Sequence, residues 1–161
     1  MNIDLLKSDL LEIYNSGNWC KDVPEFQTFP TLFDIEKPHW QYLKNNFIEN
    51  VVKETKIRPK EVRAWCYANF FGYPQKKWPL WHNHSGKRED NNNWYECYAC
   101  AVLYLTENES GTLFNKNGII TSLPGEIGIW YFFEPEDMHS PPEWDAFKTE
   151  NRFCIAAEAL I

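Results

Sequence analysis

The chain has 161 residues, a length that suits one domain at roughly 100–200 residues per domain. Its 16 basic and 23 acidic residues leave a formal net charge of −7, which argues against a nucleic-acid binder that works by neutralising phosphates. Hydrophobic residues make up 43 %, including 8 Trp, 8 Tyr and 11 Phe, so the chain can build a core and disorder is excluded as its main state.

The longest apolar run, residues 98–105, is well short of the roughly 20 residues a membrane-spanning helix needs. Met1-Asn2-Ile3-Asp4 carries no basic segment followed by an apolar one, so no secretory signal is expected. An odd set of five cysteines, Cys20, Cys66, Cys97, Cys100 and Cys154, points to reduced thiols and a cytoplasmic location.

Ile3, Leu6, Leu10 and Ile13 form one helical stripe, with Gly17 placed to stop the helix. Residues 22–31 read as irregular. A second helix is expected from Pro38, with Trp40, Leu43, Phe47 and Val51 as its apolar face and His39 as a structural residue. From residue 61 the texture changes to short aromatic and β-branched runs broken by turn residues. These predict strands near 62–70, 78–84, 95–105, 111–114, 117–122, 126–133 and 152–160. Many strands without helices between them point to a mainly β sandwich or barrel of jelly-roll type, the two helices packed outside. Cys97-Tyr98-Ala99-Cys100 spells C-x-x-C, but strand positions three apart face opposite sides, so the pair reads as core rather than as a redox or zinc motif.

Three of the four histidines are placed to carry chemistry. His82 and His84 flank Asn83 at the end of a predicted strand, where alternate residues share a face and two imidazoles can meet one ion. His139 follows a later predicted strand. Three nitrogen donors, or two with a carboxylate, suit Fe, Zn, Cu or Ni. Arg152 opens the last predicted strand. Its guanidinium suits bidentate binding of a carboxylate, or alternatively pairs with Glu150 or Glu158.

In order, Tyr67 to Gly72, His82-Asn83-His84, Val102 to Thr106, the segment Ser110-Gly111-Thr112-Leu113-Phe114, Pro124-Gly125, His139 and Arg152 carry a resemblance. The stretch 61–161 resembles the Fe(II)/2-oxoglutarate-dependent oxygenase superfamily, especially its small prolyl-hydroxylase-like members. The resemblance implies a double-stranded β-helix (jelly roll) core over 61–161, with 1–60 as helical support and the whole chain as a single domain. It implies that His82, His84 and His139 hold Fe(II), and that Arg152 pairs with the far carboxylate of 2-oxoglutarate, which O2 converts to succinate and CO2. Tyr104, Asn69 and Cys154 are the further residues it implies near that cosubstrate. Cys154 stands where Ser or Thr is usual.

The family's carboxylate ligand falls on His84. A triad of three histidines leaves the same positions open but makes the site more positive. Glu89 and Asp90, a few residues on, are alternative third ligands. The expected reaction is hydroxylation of a small molecule or a peptide side chain, without nucleic acid or membrane as partner. Trp78, Trp81, Trp94, Tyr131, Phe133 and Trp144 either line a substrate cleft or fill the core, with Trp81, Trp94 and Tyr131 the cleft candidates. The polar stretches 87–93 and 134–147 are lid candidates. Two other readings compete. The spacing from His82 and His84 to Glu89 matches the first motif of a cupin, a metal protein that needs no 2-oxoglutarate. A non-catalytic β-sandwich binding module holds no metal at all.

Overall fold

In the computed structural model, the described residues are 1–20, 26–75, 78–107, 111–146 and 150–161. Leu6, Leu10 and Tyr14 recur at helical spacing and are the buried residues of α1 (Ile3–Asn15). Asn2 caps the helix by accepting from the Leu5 N–H at 3.2 Å. Gly17, at φ 76°, turns the chain away beyond its end, as its placement predicts. α2 (Pro38–Thr55) starts on Pro38, where the missing N–H removes no helical bond, and buries Trp40, Leu43, Phe47 and Val51. Asp9 ties the helices together by accepting from Lys37 Nζ at 2.8 Å, His39 Nε2 at 2.7 Å and Trp40 Nε1 at 2.9 Å. Burial acts to raise the Asp9 carboxyl, but these donors outweigh it and hold the group below its ordinary range.

The larger sheet is antiparallel, in the order β1 (Phe26–Gln27), β2 (Glu61–Asn69), β9 (Arg152–Leu160), β4 (Asn93–Tyr104) and β3 (Lys87–Asp90), with β7 (Trp130–Phe133) also pairing with β4. β9 is central, and all nine of its residues are buried. Period-2 alternation divides it. Phe153, Ile155, Ala157 and Ala159 join the helix-side core with Ala64, Cys66, Ala99, Ala101 and Leu103, a small-residue floor on which Trp40 and Phe47 sit. Arg152, Cys154, Ala156 and Glu158 face the opposite way. Over that second face stands a smaller sheet in the order β6 (Ile119–Ser122), β5 (Leu113–Lys116), β8 (His139–Ser140). Phe114 of the small sheet packs on Phe133 of the large one, ring centroids 5.4 Å apart. No helix among the described residues is long and apolar enough to cross a membrane.

The strands expected near 62–70, 95–105 and 152–160 correspond to β2, β4 and β9. The strand expected over 78–84 is not formed. Pro79 has no N–H to give a ladder, and only His82 pairs, exchanging backbone bonds with His139 at 3.0 and 2.9 Å. The strand expected over 126–133 shortens to 130–133, because Gly125 and Gly128 adopt positive φ of 74° and 77°. Residues 87–93 are a β-hairpin rather than a lid loop, since Asn91 and Asn92 take φ of 48° and 63° and close a two-residue turn between β3 and β4. The irregular stretch 22–31 contains β1, and 134–147 contains β8. Ser110, Phe147, residues 22–25 and the Asp90 side chain lie outside what is described.

Candidate metal centre

The backbone bridge between His82 and His139 joins two segments far apart in sequence, and His84 lies two residues on. His82, His84 and His139 come together so that one ligand atom from each lies within 4.8 Å of the others. His84 and His139 are 6 % and 4 % exposed, and their rings stack at 4.9 Å. His82 packs 4.2 Å from His139.

The ring nitrogens divide by role. His82 Nδ1 meets the Leu80 carbonyl at 2.9 Å, and His139 Nδ1 meets the Asp137 carbonyl at 2.8 Å. A carbonyl only accepts, so both Nδ1 atoms carry the proton. His84 Nδ1 donates likewise to Glu158 Oε1 at 2.7 Å. That leaves Nε2 of each ring as the atom that can face an ion. His84 Nε2 and His139 Nε2 stand 3.1 Å apart. Two lone pairs at that separation repel unless a proton or a cation lies between them, and outer hydrogen bonds of this kind are what fix metal-binding imidazoles. Burial first, and then the charge of His82, push His139 down to about 3; burial also lowers His82. Both rings are therefore held in the neutral form that binds metal. The three side chains fit a divalent transition metal with nitrogen preference.

A narrow cavity of about 30 Å³, room for roughly two waters, opens beside the histidines and is walled by Tyr67, Thr112, Pro141, Arg152, Cys154 and Ala156. Arg152 is 3 % exposed and donates from Nη1 to Asn69 Oδ1 at 2.9 Å across the β2–β9 pair. A buried guanidinium that lines the same cavity as three imidazoles can hold an anion whose other end meets the metal. Burial pushes the Cys154 thiol up to about 11, although Arg152 acts to lower it, so it stays protonated. A larger groove of about 590 Å³, lined by Glu54, Tyr98, Lys116 and Asp137 among others, holds no histidine. It is separated from the centre by Phe114 and Phe133, which line it and contact His139.

Other sequence-derived candidates lie further out. Tyr104 is fully buried behind the cavity, where its hydroxyl accepts from the Thr112 N–H at 2.6 Å. Tyr131 packs on Tyr104 at 5.9 Å, and Trp81 is half-buried next to His82. Trp94 pairs with Glu89 in the hairpin and is 63 % exposed. Glu89 is exposed on β3 and outside the histidine cluster. Glu158, weighed only as a partner for Arg152, instead meets His84 and Arg88. Its site role had no local motif, because nothing near it in sequence announces a bond to a residue 74 positions away. Thr112, Pro141 and Ala156 were likewise not singled out for the site.

No family model matches the chain, and no curated protein does. Solved structures do. A prolyl-4-hydroxylase from Pseudomonas putida superposes with a TM-score of 0.61 at 14 % identity, covering 99 % of this chain and 87 % of that one. The viral collagen prolyl hydroxylase of Paramecium bursaria Chlorella virus-1, in its 2-oxoglutarate complex, gives 0.61 at 13 % identity, over 98 % and 88 %. HygX from Streptomyces hygroscopicus, solved with nickel and 2-oxoglutarate, gives 0.65 at 9 % identity, over 98 % and 77 %. The chain has the fold of these proteins along nearly its whole length, in line with the resemblance read from its ordered motifs.

Proposed function

We propose that the chain is a non-haem Fe(II)- and 2-oxoglutarate-dependent oxygenase that hydroxylates a C–H bond of a small molecule or a peptide side chain, releasing succinate and CO2. The reading treats the two sheets as a double-stranded β-helix and residues 1–161 as one unit in a reducing, cytoplasmic setting. The observation that carries it is the meeting of three imidazoles with the buried Arg152 around one cavity.

His82, His84 and His139 would hold the iron, which when bound supplies the O2 chemistry. Each residue has a distinct task. The Leu80 and Asp137 carbonyls and the Glu158 carboxylate keep the three rings in one tautomer and orientation. Arg152, itself held by Asn69, would bind the far carboxylate of the cosubstrate and set its direction. Ala156, under the cluster on β9, leaves space that a larger side chain would fill. Of the wall residues, Tyr67 and Pro141 are half-buried, whereas Thr112, Cys154 and Ala156 are buried.

The cupin alternative is disfavoured by the exposed position of Glu89, which its motif needs as a ligand, and by an arginine in the cavity for which it has no use. The test is succinate formation from 2-oxoglutarate by the iron-loaded protein with air. Turnover that disappears in His139→Ala supports the reading. Metal binding with no 2-oxoglutarate consumption under any substrate panel, and no uncoupled turnover, sinks it.

A further inference from the structure

Among the described residues, His84 is the clustered ring hydrogen-bonded to a carboxylate. His82 and His139 each donate from Nδ1 to a backbone carbonyl, a neutral acceptor. His84 donates to Glu158 Oε1 at 2.7 Å, and the same oxygen accepts from Arg88 Nη2 at 3.0 Å. Glu158 is 3 % exposed on the central strand β9, at the opposite end from Arg152 of the row of residues that faces the cluster. Burying a carboxylate there is costly unless both partners hold it. His84 is also the residue that occupies the position of the carboxylate in the usual two-histidine, one-carboxylate arrangement. The ring that stands in the carboxylate's place is thus the one that has a carboxylate behind it.

We propose that Glu158 is a positioning residue that supplies this charge one hydrogen bond further out: it makes His84 a stronger donor ligand and offsets the positive charge that a divalent ion and Arg152 bring into a buried cavity whose imidazole ligands carry none. This rests on the metal-binding part of the functional reading above. Trp65 assists by stacking on His84, ring centroids 5.4 Å apart and planes 22° from parallel, so that the imidazole cannot swing out of line. Arg88 moderates the effect. It sits at the base of the β3–β4 hairpin, donates to Glu158 Oε1 and also to the His84 carbonyl at 3.1 Å, and so draws part of the carboxylate's charge away from His84.

The proposal separates charge from shape. Glu158→Gln keeps the length and an oxygen that accepts from His84 Nδ1, and loses only the charge. Co(II) titration of the metal-free protein, followed by its visible absorption, is the readout, with thermal melting of each variant before metal is added. Glu158→Gln is expected to weaken Co(II) binding by about 10- to 100-fold, the range for outer partners of metal-bound histidine. Arg88→Met acts in the opposite direction and is expected to tighten it by about two- to fivefold, as release of a partly exposed ion pair allows. Co(II) affinity unchanged in Glu158→Gln overturns the proposal and leaves the three-histidine site standing. Should Glu158→Gln fail to fold, Arg88→Met decides alone, and unchanged or weakened binding there overturns it. A wild-type protein that binds no Co(II) overturns both the proposal and the reading beneath it.

Discussion

Gly111 precedes Thr112, which lines the cavity beside the three histidines. A Cβ built there stands 2.7 Å from Tyr104 Oη, 3.0 Å from Tyr104 Cζ and 2.9 Å from the Leu123 carbonyl. Neither neighbour is free to retreat. Tyr104 is fully buried, and its hydroxyl is bonded to both the Thr112 N–H, at 2.6 Å, and Thr112 Oγ1, at 2.7 Å. The Leu123 carbonyl accepts the Gly111 N–H at 2.9 Å. Overpacking of this kind costs about 1–3 kcal/mol. If the phenol ring gives way instead, the buried Thr112 N–H loses its acceptor, a further loss of about 1–3 kcal/mol. Gly111→Ala is therefore expected to destabilise the protein by about 2–4 kcal/mol, and Tyr104→Phe by about 1–3 kcal/mol. The double variant removes the closest contact along with the hydroxyl, so its loss should fall short of the sum by about 1 kcal/mol. Urea unfolding followed by tryptophan fluorescence measures all three, with an unchanged m-value as the check on two-state behaviour. Losses that add to within about 0.5 kcal/mol, or a neutral Gly111→Ala, would refute the packing described here.

Arg152→Met should weaken 2-oxoglutarate binding by about 10- to 100-fold, the loss of a charge-assisted hydrogen-bonded pair, while leaving metal affinity nearly unchanged; calorimetry of the metal-loaded protein separates the two. Ala156→Leu fills the floor of the cavity and should abolish 2-oxoglutarate binding at a stability cost of about 1–3 kcal/mol, read by the same titration and by melting. Asp9 supplies the pH dependence of helix docking. Its carboxyl sits lower in the folded protein than in the unfolded chain, so its stabilisation is complete above about pH 4 and fades as pH falls through the folded value. The stability gap between wild type and Asp9→Asn should accordingly narrow on acidification, and a gap that stays constant from pH 6 to pH 3 would contradict the Asp9 cluster.

What was legible in the sequence was what period and turn chemistry encode. The stripes of α1 and α2, Pro38 at a helix start and the long strands β2, β4 and β9 follow from local patterns, while the shared destination of His82, His84 and His139 follows from the ordered set of motifs that carries the resemblance. What was not legible depends on departures from ideal periodicity. Residues 78–84 lack a strand, because Pro79 breaks the ladder, yet the single bridge at His82 still delivers the histidine to His139. Cys97 and Cys100 should face opposite ways on a regular strand. The bulge between Cys97 and Ala99 turns both sulfurs to one side, 3.4 Å apart. Glu158 was the deepest omission. A carboxylate in a strand of otherwise small and apolar residues reads as a surface position, and only the pairing of β9 at the sheet's centre buries it against His84.

The histidines and Arg152 are proposed to form one site for iron and 2-oxoglutarate. Its most direct test is an anaerobic titration of the metal-free protein, first with Fe(II) and then with 2-oxoglutarate, watched in the visible. A weak charge-transfer band is expected that needs both additions, is lost in His139→Ala and needs more 2-oxoglutarate in Arg152→Met. A protein that binds Fe(II) with no band at saturating 2-oxoglutarate, or a band that survives His139→Ala, would contradict it.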